Sequence, residues 1–245
     1  MENNIHNRFY SIENVKSTQW SLIFKKQTND VSNALFGSIY DSGLLSGCYI
    51  LHNDFIKNSS LIFLCSSVVP IRNYIGTSCN SFPGGLYNLA LLFIKCLTKQ
   101  QHYLQKQDTG NGNTMGFIDI DLEHVYVVDN HAIIYINPTH IFPLTNNKKI
   151  NKYDKLFYLH RPFYCDSFSS PELRTITLLP STVSSKTYNY SLAAAAFFIL
   201  FSRDFETDND ECKDCLHKIV NTPLYWIMVQ YIQNYNYSSS SLIVI

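Results

Sequence analysis

Apolar and polar positions change rhythm three times along the chain, and the changes mark its organisation. Phe9 to Val15 and Trp20 to Lys26 are rich in aromatic and β-branched residues between polar breaks, which predicts two strands. Thr28 to Leu45 switches to helical spacing at Val31, Leu35, Ile39 and Leu44, with Asn29 or Asp30 as the cap. Cys48 to Leu51 and Ser60 to Cys65 predict short strands on either side of the polar turn His52 to Ser59. After Ser66 the chain leaves a strand through Pro70, and the stretch SFPGG punctuates it before a long helix. That helix keeps its apolar stripe at Leu86, Leu89, Ala90, Phe93, Ile94, Leu97 and Leu104. A polar loop, Lys106 to Thr114, leads into Gly116 to His140, which reads as a strand pair. Thr139 to Ser169 reads as irregular, and Ser191 to Phe201 and Cys212 to Asn236 return to helical pattern. No internal repeat is visible. Strands first and helices later, with strands returning midway, predict an α+β protein in two lobes.

Composition narrows the class without identifying it. The 245 residues are 46% hydrophobic and 16% charged, a globular balance with enough chain for one large domain or two lobes on a shared core. Basic and acidic residues number 19 each, so neither nucleic acid nor an anionic membrane is an expected partner. The longest apolar run, Leu192 to Phe201, covers about half of what spans a bilayer and reads as a buried helix. Met1 to His6 shows no secretory pattern, and the seven cysteines, an odd number lying mostly in apolar segments, read as reduced thiols. A cytoplasmic, intracellular protein is the expectation.

Three places carry a resemblance to the protein kinase fold. In Phe117-Ile118-Asp119-Ile120-Asp121-Leu122-Glu123-His124 the residues fall where a kinase has its catalytic loop H-R-D-L-K-P-E-N, and Asn137-Pro138-Thr139 falls where D-F-G belongs. Ser170-Pro171-Glu172 is similar to the A-P-E that closes the activation segment. Tyr190-Ser191-Leu192-Ala193 looks like the start of the central helix of the large lobe, and Ser60 to Ile75 resembles the fifth strand, hinge and following helix. The resemblance implies a bilobal kinase-like domain, with residues 1–66 as a β-rich N-lobe-like region and 67–245 as a helical C-lobe-like region.

The same alignment implies a site short of working parts. Asp119 stands at the catalytic base, and Lys25 is the best match for the lysine of the third strand. His124 replaces the metal-binding asparagine, and imidazole is a poor ligand for a hard cation such as Mg²⁺. Asn137 replaces the metal-binding aspartate and offers a neutral amide oxygen instead of a carboxylate. Asp121 puts an acid where a lysine would steady the transferring phosphate, which it would repel. No glycine precedes Gly37, so no Gly-rich phosphate loop lies between the first strands. Tyr188 sits where an aspartate usually anchors the loop backbone, and no arginine near the C-terminus pairs Glu172.

The reading that follows is a catalytically inactive or nearly inactive pseudokinase. It would act as a scaffold or allosteric module for another protein, as a subunit of a larger complex, with no cofactor required. One alternative is a divergent active kinase that uses ATP and Mg²⁺, with Asp119 as base, Lys25 on phosphates and Asn137 on a metal. Another is a globular interaction protein unrelated to kinases, in which Asp119 and Asp121 are merely strand-entry acids facing solvent. Cys212 and Cys215 have zinc-like spacing with His217 nearby, but no second pair of ligands is evident, so they read as core or near-surface thiols. The lysines at 148, 149, 152 and 155 read as a solvated face, or as a docking surface for an acidic partner.

Overall fold

The computed structural model describes residues 4–6, 10–16, 18–24, 30–46, 49–52, 60–76, 82–107, 114–146, 155–207 and 209–236. Lys25, Lys148, Lys149 and Lys152 fall outside these, as do Cys48 and Cys79.

The first strands pair because their apolar faces need a common cover. β1 (Ile5–His6), β2 (Tyr10–Lys16), β3 (Gln19–Phe24), β4 (Tyr49–His52) and β5 (Ser60–Leu64) form one antiparallel sheet in the order β1-β2-β3-β5-β4. Register places Trp20 beside Phe63 and Leu22 beside Leu61, and all four side chains are buried. Between β3 and β4, α1 (Asp30–Asp41) buries Ala34, Leu35, Phe36 and Ile39.

Among the described residues, the rest of the chain holds the long helices and seven further strands. β6 (Val68–Pro70) pairs with β8 (Val125–Val128), and β8 pairs with β9 (Ala132–Tyr135). The three-residue β8–β9 turn puts Asp129 and Asn130 at φ of 49° and 59°, a left-handed conformation that these residue types tolerate. Asp129 then accepts hydrogen bonds from the backbone N–H groups of Ser66 and Ser67, each at 2.7 Å, and so fixes the crossing from β5 to β6.

A second antiparallel sheet has the order β12-β11-β10-β7, from β7 (Thr114–Phe117), β10 (Ile141–Asn146), β11 (Lys155–Leu159) and β12 (Ser181–Ser184). Its inner face carries Phe142, Leu144, Phe157, Leu159 and Val183, which close with Ile118 and Leu173 into a small core of their own. The expectation of irregular chain from Thr139 to Ser169 is therefore corrected. Phe142 and Leu144 alternate with Pro143 and Thr145, a two-residue period in the sequence that Pro143 disguises.

The helices enclose the main core. They are α2 (Gly85–Leu104), the short α3 (Pro171–Arg174), α4 (Lys186–Phe201), α5 (Asp210–His217) and α6 (Pro223–Asn236). The helical pattern over Cys212 to Asn236 resolves into two helices, the second opening at Pro223, whose missing N–H is tolerated at a first helical position. α4 is buried on every side, with Leu192, Ala193, Ala194, Ala195, Ala196, Phe197 and Ile199 inside, and its run of alanines lets α2 and α6 pack closely on it. One apolar cluster runs from Tyr10 and Ile12 in the first sheet to Met228 and Ile232 in α6. The fold is α+β, with a β-sheet N-terminal region and a helical C-terminal region. β5 pairs inside the first antiparallel sheet and α4 is the buried central helix, as the kinase resemblance requires.

Two glutamines on α2 finish the sheets. Gln101 accepts from Phe117 N at 2.8 Å and donates to Phe117 O at 3.1 Å; Gln100 does the same for Tyr135, at 3.0 and 2.8 Å. Each side-chain amide thus stands in for a neighbouring strand at a buried edge. Replacing Gln101 by Ala leaves a buried N–H and a buried C=O without partners, and should cost about 2–4 kcal/mol. The loss is measured by the urea midpoint, with the denaturant slope unchanged.

Candidate functional site

The segment Ile118 to His140 lies at the centre of the molecule, between the first sheet, the second sheet and α4. Asp119 follows β7 and is completely buried. Its carboxylate accepts hydrogen bonds from Ser169 Oγ, just before α3, from Ser191 Oγ on α4, and from the Ile120 N–H at 2.9 Å. Ser191 Oγ also accepts from Ile120 N at 2.9 Å, and Ser169 Oγ accepts from Asp166 N at 2.9 Å. Burial raises the carboxyl pKa from its ordinary value to about 7, against the lowering by these three donors, and the Asp166 charge adds to the rise. The solvent-facing placement considered for Asp119 does not occur, because β7 ends at the junction of two cores instead of at a surface.

Asp121 and His124 sit at the other end of this linker, around a single 3-10 turn, Leu122–His124. Asp121 caps that turn by accepting from Glu123 N at 2.9 Å, and its second oxygen lies 3.4 Å from His124 Nε2. Burial pushes the His124 imidazole toward its neutral form, with Asp121 opposing. The other ring nitrogen, Nδ1, is 2.8 Å from the Tyr10 hydroxyl, which is itself 2.6 Å from the hydroxyl of Tyr126. Arg72 pairs with Glu123 at 2.6 Å on the outside of the same turn.

Asn137 is buried, and its amide oxygen caps the next 3-10 turn, Pro138–His140, by accepting from Thr139 N at 3.1 Å and from Thr139 Oγ1. His140 is buried beside it, with Nδ1 3.0 Å from the Tyr135 hydroxyl, and burial lowers its pKa. Tyr135 in turn donates to Asp119 O at 3.2 Å and accepts from Asp121 N at 3.2 Å. Asp119, Asp121, His124 and Asn137 are thus brought into one neighbourhood. Lys25 lies outside the described residues.

Each of these side chains is already engaged within the protein. The Asn137 oxygen is engaged in its own turn, the Asp119 carboxylate faces two serines inside the core, and His124 offers a soft nitrogen already beside Tyr10. Among the described residues, no group of three or more His, Cys, Asp or Glu side chains is placed to hold a metal ion. Cys212 and Cys215 are buried thiols on α5, with Cys212 Sγ donating to Asp204 O at 3.6 Å.

Several working residues carry no sequence signal of their role. Ser191 anchors the backbone at Ile120, and Tyr188, which stands where the resemblance would place an anchoring aspartate, donates to Leu97 O on α2 at 3.0 Å. The Glu172 carboxylate is half-buried and takes a hydrogen bond from the backbone of Ser184. Tyr10 and Ser169 look like ordinary strand and loop residues, and only their partners across the fold give them a place.

No protein-family model matches the chain, and no curated protein matches it. Among solved structures it is similar to a rhoptry kinase from Toxoplasma gondii, at 11% identity and a TM-score of 0.49, over 97% of this chain and 72% of that one. No helix among the described residues is long and apolar enough to cross a membrane.

The buried carboxyl gives a pH signature. Its folded pKa lies above the unfolded value, so the stability it contributes is fully present below about pH 4 and is lost as pH rises toward 7. The expected loss is on the order of 4 kcal/mol at most. Chemical denaturation from pH 4.5 to 8 should show wild-type stability falling relative to Asp119→Asn, whose profile lacks this slope.

Proposed function

We propose that this chain is a kinase-like protein that does not transfer phosphate and serves as a scaffold or allosteric module for another protein. The observation that carries the proposal is the state of Asp119. A general base must come within about 2.6–3.2 Å of the proton it removes. Asp119 is wholly buried, and its oxygens already accept from Ser169, Ser191 and Ile120. The group at the base position thus works as a structural clasp.

Two further features support the reading. Electrostatic stabilisation of the transferring group is the largest contribution in such reactions, and the metal positions His124 and Asn137 are committed to Tyr10 and Thr139. Around the second sheet the chain exposes large apolar side chains, with Tyr164 and Leu178 at 77% and 79% and Tyr158 and Leu179 at 40% and 39%. Such side chains in water are the material of a protein-binding face. Partner binding inside a larger intracellular complex is part of this proposal.

Incubated with ATP and Mg²⁺, the protein is expected to incorporate no more phosphate, into itself or into a basic acceptor protein, than Asp119→Ala does. Transfer by the wild type that disappears in Asp119→Ala would establish the active-kinase alternative.

A further inference from the structure

β2 begins with a tyrosine that is completely buried, although a polar hydroxyl in a core must find partners or cost stability. Tyr10 finds them on a different sheet. Its hydroxyl lies 2.6 Å from Tyr126 Oη on β8 and 2.8 Å from His124 Nδ1, and Tyr126 Oη is 3.4 Å from Glu123 O. The Asp121 carboxylate stands 3.4 Å behind the imidazole. The rings meet edge to face, at centroid distances of 6.1 Å for Tyr126 and 5.8 Å for His124. A phenol delivered by the N-terminal sheet is therefore received by the Tyr126 hydroxyl on β8 and by the His124 imidazole nitrogen of the turn, which Asp121 backs from the other side. That is the equipment of a small polar binding seat inside apolar walls.

We infer that Tyr10 is an internal ligand: its phenol fills a seat formed by His124 and Tyr126, latching the first sheet onto the Asp121–His124 turn and shutting out any planar ring from another molecule. With the two hydroxyls 2.6 Å apart, no aromatic ring passes between Tyr10 and Tyr126. The inference stands apart from phosphate transfer, since it requires only this geometry and not the ancestry of the turn. Emptied of Tyr10, the seat would take a hydroxylated planar ring, because an apolar hollow with a placed hydrogen-bond partner binds a ligand of that shape.

The test uses thermal unfolding of the full chain, with p-cresol and adenosine as probes at millimolar concentration. The wild-type Tm is expected to stay within about 0.5 °C with either probe, as no binding gives no shift. Tyr10→Ala is expected to melt several degrees lower and to recover at least about 2 °C with p-cresol. The recovery should vanish in Tyr10→Ala/Tyr126→Phe, which lacks the hydroxyl partner. A wild-type shift with either probe would show the seat to be open and overturn the inference. So would a failure of p-cresol to restore Tyr10→Ala, or a recovery that survives Tyr126→Phe. Should Tyr10→Ala not fold, Tyr10→Phe and Tyr126→Phe decide the matter, since both keep their ring volume. A shared hydrogen bond predicts that the double variant loses less than the sum of the two single losses, whereas additive losses overturn the latch.

Discussion

A carboxylate taken out of water must be surrounded by donors, and Asp119 imposes that demand on the middle of this protein. Its partners come from three separate stretches: the linker itself through Ile120, the loop ahead of α3 through Ser169, and the central helix α4 through Ser191. Meeting the demand fixes where each stretch lies. α4 is held under the linker, α3 is held at the edge of the second core, and Tyr135 secures the linker's other side through Asp119 O. The donors do not fully offset desolvation, so the carboxyl keeps its proton more readily than a surface aspartate does. Strength here comes from connecting elements far apart in the chain, since Asp119 and Ser191 are 72 residues apart.

The same rule governs the other polar groups inside. Gln100 and Gln101 let two sheets end against a helix without stranding backbone groups, because a side-chain amide carries both the donor and the acceptor that a strand neighbour would supply. Tyr10, Tyr126 and His124 form a hydrogen-bonded chain between the first sheet and the turn, with the Asp121 carboxylate behind the imidazole. Burial raises the Tyr126 phenol and lowers the His124 imidazole, so both stay neutral near pH 7. A region that the kinase resemblance equips for charged ligands is thus occupied by side chains that satisfy one another.

Much of the architecture is legible from period alone. The stripe at Leu89, Phe93 and Leu97 marks α2, the apolar run at Ala193 to Phe197 marks a helix buried all round, and the β-branched segments up to Leu64 mark a sheet. Legibility fails where short strands carry a proline or follow a polar loop, as β10 and β11 do, because a few alternating residues are outweighed by their surroundings. The candidate site divides in the same way. Asp121 and Asn137 cap turns one or two residues away, a local act that their residue types favour. Ser169 and Tyr10 act across the fold, and nothing local distinguishes them from dozens of other serines and tyrosines.

The sequence by itself determined most element types, the α+β order and the turn-capping chemistry of Asp121 and Asn137, because period and side-chain chemistry are local properties. Only the tertiary structure decided that Asp119 turns inward and that Tyr10 meets Tyr126. Both outcomes depend on which distant donors reach a buried polar group, and a linear pattern does not encode the free energy of that meeting.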